Sequence, residues 1–181
     1  MDREYKLIRS SRKTISLRIT PAGEIEVRCP NRMRRADVDA FVRSKRNWIE
    51  ARLSNIPPAL PKLTEGELEE LRRRAKETIP ERVAHFAPLI GVSYGSITVR
   101  SQKTRWGSCS SRGNLNFNCL LMLTSPEVLD YVVLHELCHR KELNHSARFW
   151  AQVERVMPDY RLRRKWLKDH GSALIGRLPE S

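Results

Sequence analysis

The sequence predicts an α+β chain: a small N-terminal ββα unit followed by a larger mixed domain. Three observations carry this. Residues 14–30 alternate apolar and polar on both sides of a Pro/Gly turn, residues 96–123 hold a second alternating stretch, and the segments between and after them space their apolar residues as helices do.

The first element is a hairpin in "TISLRITPAGEIEVRCP". Ile15, Leu17 and Ile19 face one side, and after the turn "TPAG" so do Ile25, Val27 and Cys29. "ADVDAFVRSKRNWIEARL" follows, with a helical stripe of Val38, Phe41, Val42, Trp48, Ile49 and Leu53. Residues 1–53 form the expected ββα unit. Residues 54–63, "SNIPPALPKL", carry three prolines and read as a linker to residues 64–181.

Thr64 and Glu67 have capping-box spacing and open a helix through Leu68, Leu71 and Ala75. Pro80 is expected to kink or end it near Ile79, with a second segment to about Phe86. Two or three strands are expected in "SITVRSQKTRWGSCSSRGNLNFNCLLML", with "SSRGN" as a turn and Leu115, Phe117, Cys119 and Leu121 on one face. Pro126 suits the first turn of a helix over "EVLDYVVLHELCHRKE", and Thr124 with Glu127 offers a second capping box. A helix "SARFWAQVERVM" should bury Phe149, Trp150, Val153 and Met157, and "RLRRKWLKDHG" should stop at Gly171 as a C-cap.

The 181 residues suffice for one well-cored domain with an appendage. The start of the chain lacks the apolar core of a signal peptide, and the longest apolar run, "CLLML", is far too short for a membrane span. A soluble, cytoplasmic protein without membrane contact is expected. Cys29, Cys109, Cys119 and Cys138 form no CxxC pair, so no zinc ribbon is spelled and reduced thiols are expected. The net charge of +13 is uneven: +7 over residues 1–53, +2 over 54–145 and +4 over 146–181. Such a field suits weak, non-specific nucleic-acid binding.

The chemistry concentrates in "HELCHRKELNHSARFW". Three of the five histidines, His135, His139 and His145, fall within eleven residues. Four helical residues turn about 400°, so His135 and His139 stand about 40° apart and one turn along, placed to share a cation. Glu136 lies roughly 60–100° round the surface, beside a metal and not on it. That is the logic of H-E-x-x-H: two ligands, and a base for a metal-bound water. On a straight helix His145 would point about 240° from His139. It can join only if the chain turns at "LNHS", where Asn144 or Ser146 can cap the next helix. Three histidines without a fourth protein ligand match a catalytic zinc better than a structural one. Cys138 lies on the side away from Glu136 and is read as packing. Glu154, on the following helix, is the rival third ligand.

"TRWGSCSSRGNLNFNCLL", "VVLHELCHRKELNHSARFW" and "MPDYRLRRKWL" resemble the YgjP-like branch of the SprT-like zinc metallopeptidases, and the N-terminal "RKTISLRITPAGEIEVRCP" and "FVRSKRNWIEARL" resemble it more softly. The resemblance implies a zincin-type α+β minidomain with a small sheet and an active-site helix. It also implies His135, His139 and His145 as zinc ligands, Glu136 as catalytic base, and Trp106 to Cys109 in a strand pair lining the cleft. A metzincin carries glycine where this chain has Glu142, so that pattern is not met.

The function these residues support is a zinc-dependent metallopeptidase in which Glu136 activates a zinc-bound water. Tyr160, Arg105 and Arg161 are candidate oxyanion donors, and Arg105, Trp106, Tyr160 and Arg161 the candidate substrate contacts. An extended peptide could add to the edge of the 103–121 hairpin. The alternative is a nucleotide phosphoanhydride hydrolase (a nucleoside triphosphate pyrophosphatase), with basic termini holding phosphates. A third reading is a nucleic-acid-binding module with a structural zinc. The substrate is thus a peptide or protein, or a nucleotide; nothing in the sequence indicates an oligomeric state.

Overall fold

The structure, a computed structural model, describes residues 4–20, 23–54 and 60–179. The chain divides into two compact units, Met1–Ala59 and Leu60–Ser181.

In the first unit β1 (Lys6–Ser10), β2 (Ser16–Ile19) and β3 (Ile25–Pro30) form a sheet of order β1-β3-β2. β2 and β3 are the expected antiparallel pair, with Leu17 opposite Val27 and Ile19 opposite Ile25. Pro21 and Ala22 of the expected turn lie outside the described residues. The unit exceeds the expected ββα by β1, which runs parallel to β3. Its adjacent Leu7 and Ile8 show no period of two, so only pairing with β3 makes this segment a strand. The expected single helix is two, α1 (Arg35–Ser44) and α2 (Arg46–Ser54), broken at Lys45. Ile25, Val27, Cys29, Val38 and Ile49 form the core. Trp48, placed in the stripe by the sequence, is 49% exposed because the break shifts the phase of α2.

Residues 55–59 of the expected linker lie outside the described residues. Its last residue, Leu63, is buried core of the second unit and donates its N–H to Arg177 O at 2.8 Å. The Thr64–Glu67 capping box opens α3, which runs unbroken as Glu65–Ile90 through Pro80 and Pro88. An interior proline costs about 3 kcal/mol. One face carrying Leu68, Leu71, Ala75, Ile79, Val83, Phe86 and Ile90 is buried along the whole length, and its packing outweighs that cost. Gly91, at φ 73°, ends the helix in the left-handed region.

β4 (Ile97–Arg100), β5 (Gly107–Cys109) and β6 (Leu115–Asn118) form a second sheet, of order β4-β6-β5. The expected face of Leu115, Phe117, Cys119 and Leu121 is all buried, but the strand stops at Asn118 and a 3₁₀ turn, Cys119–Leu123, carries the last two. Asn118 causes the stop: its side-chain oxygen accepts from Leu120 N at 3.2 Å, an Asx-type cap. Its amide nitrogen donates to Gln102 O (2.7 Å) and Arg105 O (3.1 Å), which fixes the loop before β5. Then come α4 (Pro126–Cys138), α5 (Ala147–Val156) and α6 (Tyr160–Ile175). α4 starts at Ser125 with Pro126 in its first turn; the Thr124–Glu127 box does not form, since Thr124 donates instead to Leu121 O. Arg82 of α3 grips Asp130 of α4 with two hydrogen bonds, 2.6 and 2.8 Å. α6 continues past Gly171, which is no cap: a Cβ there would lie 3.0 Å from Trp106 Nε1, so the glycine admits an indole against the helix.

Candidate metal centre

α4 contacts α3, β5, α5 and α6, so nine of its thirteen residues are buried. His135 sits in its last turn and His139 is its C-cap, still with helical angles. The chain then turns, and Ser146 caps α5 by accepting from Phe149 N at 3.4 Å. This turn brings His145 back. Its Nε2 lies 3.0 Å from His135 Nε2, and the ligand atoms of His135, His139 and His145 all lie within 4.8 Å of one another.

Phe149 is the floor of the cluster, with its ring centroid 4.8, 4.6 and 4.8 Å from those of His135, His139 and His145. Trp150 stacks on His145 at 5.6 Å. Burial, followed by the neighbouring histidines, pushes His135 down to about 3. Neutral imidazole is the form that ligates a metal. His139 Nδ1 lies 3.0 Å from Glu142 O; a proton on Nδ1 directed at that carbonyl leaves Nε2 as the free donor, an outer partner of the kind metal-bound histidines have. His135 Nδ1 is buried without a hydrogen-bond partner among the described residues. Three imidazole nitrogens and no carboxylate among them form a set suited to zinc, and two imidazole nitrogens at 3.0 Å need a shared proton or cation between them.

Glu136 is 6% exposed, more enclosed than its place beside a cleft implied. Burial raises its carboxyl to about 8, against the opposing charge of Arg105. It fits because residue 107 is glycine: a Cβ there would stand 2.7 Å from Glu136 Cγ and Oε1. Sequence reasoning placed Gly107 in a lining strand without seeing this; the only signal was a glycine next to tryptophan in a strand, which marks a close approach.

Arg105 is exposed, in the loop held by Asn118. Trp106 is half-buried on Gly171. Tyr160 is buried, stacked on Trp150 at 5.2 Å and on Tyr131 at 6.4 Å. Arg161 pairs with Glu154 at 2.6 Å and crosses the Tyr160 ring, so Glu154 is engaged there. Arg164 was not foreseen. Its Cζ lies 4.4 Å from the Trp150 centroid, and the signal was its spacing of four from Tyr160 on one helix face.

The family model for the YgjP-like metallopeptidase domain matches residues 13–71 and 62–170. The chain belongs to the YgjP-like family. This membership carries the assignment to metallopeptidase-type hydrolases. No curated protein matches the chain. Among solved structures it is similar to the metallopeptidase zymogen abylysin of Pyrococcus abyssi, at 21% identity and TM-score 0.46, covering 50% of this chain and 93% of that one. It is similar also to the zymogen jannalysin of Methanocaldococcus jannaschii, at 23% identity and TM-score 0.43, covering 50% and 91%. Among the described residues no helix is long and apolar enough to cross a membrane.

Proposed function

We propose that the protein is a zinc-dependent peptidase, with His135, His139 and His145 holding the metal and Glu136 as the proton carrier. The observation that carries this reading is the convergence of His135, His139 and His145 beside Glu136, a buried carboxylate on the helix that carries His135. A zinc ion held by these three histidines would supply Lewis acidity and would acidify a bound water. Glu136, pressed against Gly107 and largely shielded from solvent, accepts the water's proton and returns it to the leaving amine. Among the described residues β5 pairs only with β6, which leaves its other edge to take an extended peptide. The basic flanks add weak, salt-sensitive affinity for polyanions.

The test is a panel of casein, unfolded peptides and nucleoside triphosphates, incubated with zinc-loaded and with chelated protein, and read by mass. Peptide cleavage that chelator abolishes is the expected result. Triphosphate cleavage with intact peptides would replace the peptidase by a phosphoanhydride hydrolase using the same residues.

A further inference from the structure

α6 carries four cations in five residues: Arg161, Arg163, Arg164 and Lys165. Arg161 pairs with Glu154 and Arg163 with Asp159, each at 2.6 Å, and Lys165 pairs with Asp169. Among the described residues Arg164 has no carboxylate partner. Its guanidinium lies instead over Trp150, whose ring is 5.6 Å from that of His145 and 5.9 Å from that of His135. An exposed side chain is thus held on the tryptophan that packs against the histidine cluster. The contact with an aromatic face fixes the guanidinium plane and leaves its N–H donors free.

Arg105 is also exposed and without an ion pair among the described residues. A cation left without a carboxylate partner on a helix whose neighbouring cations are paired is accounted for if the ligand brings the negative charge.

We propose that Arg164 is the substrate-anion receptor of this centre: it takes an oxyanion, a carboxylate or a phosphate, carried by the substrate beside the bond to be cleaved. The proposal rests on the hydrolase reading above for what is cleaved, but not for the binding itself. A planar fork matches either oxyanion bidentately. It makes Arg164 a specificity-determining residue: substrates with the anion bind, and their amide or ester counterparts do not.

Binding decides it without turnover. Zinc-loaded full-length protein is titrated calorimetrically with succinate and, separately, with inorganic pyrophosphate. Wild type is compared with Arg164→Gln, Arg164→Lys and the charge control Lys165→Gln, after zinc content and circular dichroism confirm each fold. Arg164→Gln should weaken at least one probe tenfold or more, Arg164→Lys should retain part of the affinity, and Lys165→Gln should change it less than threefold. Dependence on Arg164 for succinate identifies a substrate carboxylate, and for pyrophosphate a substrate phosphate. Equal affinities in wild type and Arg164→Gln, equal weakening by Arg164→Gln and Lys165→Gln, or no binding of either probe to wild type would each overturn the proposal. Wild type that binds a probe through Arg164 but cleaves no peptide would overturn the peptidase reading alone.

Discussion

The two units contain sheets of one topology. In each, the first and third strands are parallel, the second is antiparallel to the third, and the third lies in the middle. Among the described residues each also buries one glutamate, Glu26 at 8% and Glu136 at 6% exposure. Glu26, on β3, accepts from Arg18 Nε at 2.7 Å, and that hydrogen bond holds its carboxyl below the usual range. Glu136, on α4, has no ion pair among the described residues, and burial drives it up to about 8. The covering explains the difference. α1 and α2 bury one residue each, Val38 and Ile49, and Glu26 keeps its charge through its partner Arg18, so it is a structural ion and not a base. α4 is enclosed by three helices and a strand, which is the setting in which a carboxylate becomes a useful base.

This contrast can be broken at its strongest point. Glu136→Gln keeps the shape but cannot accept a proton at neutral pH. It should retain zinc and fold as wild type, while turnover of the true substrate falls by about 10²–10⁴. Glu26→Gln should leave turnover within twofold. Steady-state rates on zinc-matched samples check both, and equal losses would erase the distinction between the two glutamates.

Gly107→Ala sharpens it further. The added methyl meets Glu136 Cγ and Oε1 at 2.7 Å, so the carboxylate must move. Turnover should drop by roughly 10–10², since misplacing a catalytic group by about 1 Å costs that much, with zinc content retained. Wild-type turnover in Gly107→Ala would show that Glu136 tolerates displacement.

Core truncations test whether the site depends on one unit. Phe117, in the middle strand of the second sheet, is fully buried, and Phe117→Ala should cost about 3–5 kcal/mol and reduce zinc retention. Val27, its counterpart in the first sheet, is also fully buried; Val27→Ala should cost about 2 kcal/mol and leave zinc retention unchanged. Hydrogen exchange resolved by segment gives the stabilities, and metal analysis after dialysis gives the retention. Zinc lost in Val27→Ala would tie the site to the first unit. The smallest expected effect is on polyanions. Duplex DNA should bind weakly at low salt and lose most of its affinity by physiological salt. No binding at low salt would reduce the +7 and +4 of the chain ends to a solvated surface.

Much of the fold and site was legible in the sequence where one local pattern dominates. The period of two in β2 and β3, the Thr64–Glu67 box, and the i, i+4 histidines with a turn before His145 all fall into that class. What was not legible depends on tertiary partners. β1 is a strand only because β3 pairs with it, and Pro80 is tolerated only because Ile79 and Val83 are buried on either side. Gly171 reads as a helix stop until Trp106 is seen to occupy the space it leaves. The enclosure of Glu136 by Gly107, and the position of Arg164 over Trp150, join residues about 30 and 14 positions apart, beyond any local pattern.

The central claim is that His135, His139 and His145 hold one metal and that Glu154 does not. The direct measurement is zinc per chain in extensively dialysed protein, for wild type and for His145→Ala and Glu154→Ala. About one zinc in wild type and in Glu154→Ala, with loss in His145→Ala, is the predicted result. Zinc retained by His145→Ala and lost by Glu154→Ala would contradict it, because Glu154 would then have left Arg161 to become the third ligand.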